Sequence, residues 1–129
     1  MATLFSRIIS GEIPCHRVAE DDRFLAFLDI QPVARGHVLV IPKHEVDYIF
    51  DMEDEDLADL HLFSRQVAIK LRRAVPCLRI GVAVIGLEVP HAHIHLVPMS
   101  TLSDLNFQKE RLKFTSAELA TLAKAIREA

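Results

Sequence analysis

Three histidines alternate with apolar residues in the run HAHIHLV, from His91 to Val97. Because successive side chains of a β-strand point to opposite faces, this spacing predicts a strand with His91, His93 and His95 on one face. His37 begins a second run of β-branched and apolar residues, VLVI. If the two strands are neighbours, His37 joins the other three imidazoles, and one face of a sheet is committed to a site.

Four imidazoles on one surface have three possible uses. They could be structural groups whose hydrogen bonds are satisfied within the protein. Imidazoles at positions i and i+2 of a strand could ligate zinc, although no carboxylate lies in the same segment to support such a site. A neutral imidazole could also attack phosphorus, with its neighbours orienting it and handling protons. We favour this third use, because a histidine of ordinary pKa is available as the neutral base near pH 7.

Apolar periodicity predicts the elements that must position these residues. Apolar residues spaced three and four positions apart predict helices at 3–10, 53–73 and 115–128, and the second of these begins with a cluster of acidic residues. Thr115 and Glu118 stand at capping-box spacing before the last helix. Short strands are predicted twice within 17–28, with a turn at Asp21-Asp22, and once each at 37–41, 78–84 and 91–97. The expected class is α+β, an antiparallel sheet of about five strands with helices packed against it.

The composition restricts the partners and the location. The chain has 129 residues, 50% of them hydrophobic, and no linker, so a single domain over 1–129 is expected. A formal net charge of −3 without a basic stripe argues against duplex nucleic acid. No signal peptide or membrane span is predicted, and Cys15 and Cys77 are isolated. We therefore expect no membrane association, reduced thiols and a cytoplasmic location.

The run HAHIHLV resembles the motif His-φ-His-φ-His-φ-φ, where φ is apolar, of the histidine triad (HIT) superfamily. The resemblance covers about residues 3–98. It includes FLDI at 27–30, the eight-residue step from Asp29 to His37, and HVLVIPKH at 37–44, which are similar to the Hint branch. The resemblance implies a HIT-like fold and a homodimer. Residues 3–98 would then form the triad-bearing core, and 115–128 a C-terminal helical extension.

The resemblance also implies roles for individual residues. His93 matches the nucleophile that forms a nucleotidyl-histidine intermediate, and His95 the residue that contacts the phosphate and leaving group. His91 and His37 match residues that hold the nucleophile's ring. Asp29, with Ile30 beside it, matches the carboxylate that accepts from ribose hydroxyls. The matched apolar walls around the base are Leu4, Phe5, Ile8, Phe27, Leu28 and Leu39.

The chain departs from the family's pattern at two places. The approach to the triad, VIGLEVP at 84–90, is shorter than the usual phosphate-cradling loop. Gly86 matches the family's glycine, but Leu87 and Glu88 replace Gln and Ser/Thr, and we expect Glu88 to face the site. Zinc-bearing relatives combine a histidine at the position of His44 with an N-terminal cysteine pair. Because LFS stands where that pair would begin, no metal ion or other cofactor is expected.

The expected activity is cleavage of the α-phosphate bond of a nucleoside phosphoramidate or a related nucleotide derivative, and the expected partner is a purine nucleotide or conjugate. A divalent-metal site on the triad histidines stays open as another use of these residues, which metal analysis with and without a chelator would test, and two alternatives to this activity stay open as well. One is hydrolysis of dinucleoside polyphosphates, which a substrate profile would distinguish. The other is a nucleotide-binding module with little turnover, which the shortened loop favours.

Overall fold

The computed structural model describes residues 3–129, and within this range it contains five strands and three α-helices. The α+β class is confirmed, and every helix and strand predicted above is present within a few residues of its expected bounds. The elements are α1 (Leu4–Ile9), β1 (Arg17–Glu20), β2 (Phe24–Leu28), β3 (Val38–Pro42), α2 (Asp54–Ala74), β4 (Arg79–Ala83), β5 (Ile94–Met99) and α3 (Ser116–Arg127), with short 3₁₀ helices at Ile49–Asp51 and Leu102–Leu105.

The strands form one antiparallel sheet in the order β1-β2-β3-β5-β4. The register sets Phe27 of β2 opposite Leu39 of β3, and Leu39 opposite His95 of β5. Because residues paired across neighbouring strands share a face, these three side chains form one row across the sheet. Two apolar side chains, Phe27 and Leu39, therefore lie in line with the imidazole of His95 on one face of the sheet.

The two faces of the sheet bury different sets of residues. One face packs on α2 and α3 and holds the larger core, to which β2 contributes Phe24, Ala26 and Leu28. The other face packs under α1 and holds a smaller cluster, made of Phe5, Leu25, Phe27, Leu39 and Ile41. The expectation that Leu28 lines the site is therefore wrong in position. Alternation along β2 turns this residue, 2% exposed, toward the helices.

The strand that carries the histidines is shorter than predicted, since β5 begins at Ile94 and not at His91. The amide of Ala92 donates to the carbonyl of Val46, at 2.7 Å, and Val46 lies beyond the end of β3. The alternation nevertheless continues into this approach segment, because Ala92, like Ile94, is buried in the larger core. The histidines therefore face the opposite side, as the spacing predicts.

A tight turn places His37 at the start of β3. Gly36 has φ +89°, which side-chain-bearing residues rarely adopt. A Cβ at this position would also lie 3.0 Å from Val75 and 3.1 Å from Pro98. The turn is thus pressed against the core, and only glycine fits it. No helix within residues 3–129 is both long and apolar enough to cross a lipid bilayer.

Candidate active site

His37 and His95 form a pair whose proton positions follow from one backbone amide. The amide of Val33 donates to Nδ1 of His37 at 3.2 Å, so this nitrogen carries no proton. In the neutral ring the proton is then on Nε2, which lies 2.9 Å from Nδ1 of His95 and donates to it. His95 is left with its own proton on Nε2.

The same reasoning fixes the other two rings. Nδ1 of His93 lies 2.8 Å from the carbonyl oxygen of His91 and must donate to it, so Nε2 of neutral His93 holds a lone pair. Nε2 of His91 donates to the carbonyl of Pro42 at 2.8 Å. Nδ1 of His91 then accepts from the Thr3 hydroxyl at 3.3 Å. Each ring is held by a partner outside the histidine motif or by the backbone.

Two ring nitrogens of these four histidines have no protein partner within residues 3–129. They are Nε2 of His93, a lone pair, and Nε2 of His95, which bears a proton. The two ring centroids are 4.7 Å apart. A ring with a free lone pair and a ring with a free N–H therefore lie next to each other, which is an arrangement suited to nucleophilic attack with a hydrogen bond to the leaving group.

Burial favours the neutral form of His37, His93 and His95. Burial, followed by the charges of neighbouring groups including Arg111, lowers the pKa of His37 and of His95 to about 3. Burial also lowers the pKa of His93, although the His91 carbonyl and the carboxylates of Asp29 and Glu88 oppose this. Neutral imidazoles are consistent with the proton positions inferred above.

The hydrogen bonds divide the supporting roles differently from the sequence expectation. His37 was expected to hold the ring of His93, but it bonds to His95. His91 holds His93 through its backbone carbonyl and not through its ring.

Within residues 3–129, no group of three or more His, Cys, Asp or Glu side chains is arranged to hold a metal ion.

Asp29 lies beside this cluster, directly after the end of strand β2. One carboxylate oxygen accepts from the amide of Gln31 at 2.8 Å. The other lies 3.8 Å from Nδ1 of His37, a nitrogen without a proton, so the two do not form an ion pair. Burial raises the pKa of Asp29, while the Gln31 amide and the charge of Arg111 act against it. One oxygen of a mostly buried carboxylate thus remains for a ligand's hydroxyl groups.

The apolar wall is built mainly by α1 and by strands β2 and β3. Phe5 packs edge-on against Phe27, with ring centroids 5.7 Å apart, and against His93 at 5.0 Å. Leu39 and Ile8 belong to the same cluster. The structure brings these four of the expected wall residues together. Two further residues assigned to the nucleotide site lie at the surface instead, Leu4 at 48% and Ile30 at 67% exposed.

The short loop before the triad carries Gly86 and Glu88. Gly86 has φ +79° with open space around its Cβ position, so it serves the turn of the loop. Glu88 is exposed, and its charge acts on both Asp29 and His93, raising the pKa of each. The ammonium of Lys43, a cation that could neutralise Glu88, lies 2.8 Å from the carboxylate of Glu20 instead.

Sequence reasoning missed two residues from the segment between the second 3₁₀ helix and α3. The ring of Phe107 lies 4.7 Å from that of His95 and 5.8 Å from that of His37. Arg111 stacks over Phe107 at 5.6 Å and donates to the carbonyl of Gln31 at 2.9 Å. Residues 106–114 have no apolar periodicity. The one local signal was an aromatic residue and an arginine within an irregular polar segment.

Comparisons with known proteins show the family to which the chain belongs. The model of the HIT domain family matches residues 10–102. The adenosine 5'-monophosphoramidase HNT1 of Saccharomyces cerevisiae is 37% identical over 98 residues, which are 75% of this chain and 62% of that protein. The structure of a Hit-like protein involved in cell-cycle regulation from Bartonella henselae superposes with a TM-score of 0.85 and 30% identity, covering 98% of this chain and 94% of that one. The structure of a zinc-bound histidine triad family protein from Mycobacterium smegmatis superposes with a TM-score of 0.84 and 29% identity, covering 99% of this chain and 92% of that one.

Proposed function

This chain belongs to the HIT domain family, and from that premise we propose that it hydrolyses a purine nucleoside phosphoramidate through a nucleotidyl-histidine intermediate. The observation that carries the proposal is the pair of complementary nitrogens, the lone pair on Nε2 of His93 beside the proton on Nε2 of His95. The similarity to an adenosine 5'-monophosphoramidase supports the same class of reaction.

In the first step, Nε2 of His93 attacks the α-phosphorus, a phosphorus–nitrogen bond forms, and the bond to the leaving amine breaks. Nε2–H of neutral His95 donates a hydrogen bond to the departing nitrogen, which takes its proton from water. The carbonyl of His91, which accepts from Nδ1 of His93, stabilises the positive charge that develops on the nucleophilic ring. In the second step, water attacks the phosphorus, His93 leaves as the neutral base, and the proton that this water gives up balances the one taken up in the first step.

The alternatives are weaker on the same geometry. The His93–His95 arrangement supplies both a nucleophilic lone pair and a hydrogen-bond donor for the leaving group, which a module that only binds nucleotides does not require. Hydrolysis of dinucleoside polyphosphates needs a leaving group with several negative charges, and the carboxylates of Glu88 and Asp29 would oppose it. The test is incubation with adenosine 5'-phosphoramidate, with release of AMP measured and the intact protein weighed after a rapid acid-free quench. A mass gain of one adenylyl group is expected, and absence of both AMP release and adduct would exclude the proposal.

We also propose that Asp29 recognises the ribose. Replacement of Asp29 by Ala should weaken AMP binding by about 1.5–3 kcal/mol, roughly 10- to 150-fold, because a hydrogen bond to a charged group is lost. Binding of 2'-deoxy-AMP should weaken much less, since one of its two hydroxyl groups is already missing. Titration calorimetry with both nucleotides measures this difference. Asp22→Ala, in the exposed β1–β2 turn, is the matched control, and equal losses for both sugars would place Asp29 away from the ribose.

Glu88 is proposed to shape the choice of leaving group. A carboxylate about 5 Å from a phosphate is repelled by roughly 3 kcal/mol at an effective dielectric near 20. Glu88→Thr, which restores the family's residue type, should therefore raise kcat/KM for adenosine 5'-phosphoramidate by at least about tenfold. The exposed Glu45→Thr serves as the control. Kinetics unchanged by Glu88→Thr for every substrate would show that Glu88 is only a loop residue.

A homodimer is proposed on the edge of the sheet. Strand β4 has no neighbour on its outer side within residues 3–129, and its Val82 is 57% exposed. Leu62 and Ile69 of the adjacent helix α2 are also about half exposed, at 46% and 48%. A second copy related by a twofold axis would pair β4 with β4 in antiparallel fashion and cover these side chains. A mass in solution equal to one chain would contradict this.

A further inference from the structure

A cavity of about 470 Å³ is lined in part by His93. Its floor is formed by Ala92 and His93. One wall comes from the segment between β3 and α2, and another from the short loop before the triad. The volume is within the range of cavities that hold small organic molecules. The residues that line its walls are Asp47, Tyr48, Ile49, Phe50, Leu57, His61, Val84, Ile85, Gly86 and Leu87.

The cavity and the proposed nucleotide site share His93 and Gly86. Phe5 packs edge-on against the His93 ring, and neither Phe5 nor Asp29 lines the cavity. If a phosphorus is bound at Nε2 of His93 with its nucleoside against Phe5, its remaining substituent can occupy this cavity, which His93 also lines. Gly86 belongs to the loop that corresponds to the phosphate-cradling loop, and it lines the cavity too.

The lining indicates the chemistry of the molecule that would fill it. Tyr48 and Phe50 pack edge-to-face with centroids 5.4 Å apart, yet they remain 57% and 73% exposed. Leu87, at 89%, is exposed on the opposite wall. Exposed aromatic and apolar side chains around a concave space favour an apolar ring. The surface assigned to the homodimer, Val82 with Leu62 and Ile69, is separate from this lining.

The charged groups near the cavity are acidic. Asp47 lines it directly, and the carboxylate of Glu88 acts on His93 from the neighbouring loop. These charges disfavour an anionic group and tolerate a neutral or cationic one. We propose that this cavity binds the leaving group, and that it selects an amine carrying an apolar ring over a small amine and over a polyphosphate. The inference rests on the phosphoramidase activity proposed above.

The experiment compares two AMP phosphoramidates, one made with ethylamine and one with 3-phenylpropylamine, because the two amines have similar basicity. The ratio of their kcat/KM values then reports binding of the ring. For the wild type we expect a ratio of at least about ten in favour of the phenyl compound. The double variant Tyr48→Ala/Phe50→Ala should reduce this ratio to within about twofold of one, mainly through KM. Both side chains are mostly exposed, so the fold should tolerate their removal.

Leu102→Ala is the matched control, since Leu102 is 92% exposed in the 3₁₀ helix after β5 and lies outside the cavity. This control should keep the wild-type ratio. A wild-type ratio near one, or a ratio that the double variant leaves unchanged, would overturn the leaving-group assignment while the phosphoramidase activity stands. If the wild type cleaves neither compound and not adenosine 5'-phosphoramidate, the proposed function fails and this inference fails with it.

Discussion

Replacement of His93 by Ala should abolish turnover, with a loss of about 10⁴-fold or more in kcat, typical of a missing nucleophile. The reason is geometric as well as chemical. Nε2 of His93 is the one ring nitrogen of the four histidines that carries a lone pair without a protein partner within residues 3–129. No neighbour can take over the attack, because His95 presents a proton at the corresponding atom.

The measurement has two parts. AMP release from adenosine 5'-phosphoramidate gives the rate, and intact mass after a quench tests for the nucleotidyl adduct, which should be absent in His93→Ala. Near-ultraviolet circular dichroism checks that the variant is folded. His44→Ala is the matched control, because His44 is an exposed histidine outside the cluster and should retain both rate and adduct. Wild-type rates in His93→Ala would eliminate the covalent mechanism.

Acid should destabilise the fold between about pH 6.5 and pH 3. The native protein holds His37 and His95 neutral, with pKa values of about 3. The unfolded chain binds protons on the same residues below about pH 6.5. Because the unfolded state then carries more protons, the free energy of unfolding decreases as the pH is lowered. At pH 5 the decrease is about 2 kcal/mol for each histidine. The raised pKa of Asp29 acts in the opposite direction.

Urea unfolding at pH 7.5 and pH 5 measures this loss, expected to be about 4 kcal/mol for the two histidines together. Most carboxylates stay ionised in both conditions, so the comparison reports mainly on histidines. His95→Asn, which does not titrate, should remove about half of the loss. His44→Asn, at an exposed position, should leave it unchanged. A free energy of unfolding that is equal at the two pH values would contradict the assignment of neutral buried rings.

The helices and turns whose characteristic residues recur at a regular spacing were predicted correctly from the sequence. The acidic start and the apolar stripe of α2, the capping box of α3 and the hairpin at Asp21 all appear as predicted. The start of β5 differed because the bond from Ala92 to the carbonyl of Val46 comes from a segment 46 residues earlier in the chain. No local period can reveal a partner at that distance.

Site residues could be predicted from the sequence only where chemically distinctive residues alternate with apolar ones along a strand. The alternating histidines gave the facing imidazoles, but which ring supports which depends on the amide of Val33 and the carbonyl of Pro42, whose contributions do not depend on their side chains. Leu28 was misplaced because a fully buried strand has no polar face to show which side is which. Phe107 and Arg111 were missed because tertiary contacts alone bring their segment to the site.

The segment that carries Phe107 and Arg111 also limits how far the chain can be shortened without losing part of the candidate site. The family match spans residues 10–102, yet the site extends beyond it at both ends. Thr3 supports His91 from the N-terminal side, and Phe107 covers His37 and His95 from the C-terminal side. Trimming the chain to the matched range would uncover the two rings whose neutrality depends on burial. The candidate site of this protein therefore extends beyond the range that the family model matches.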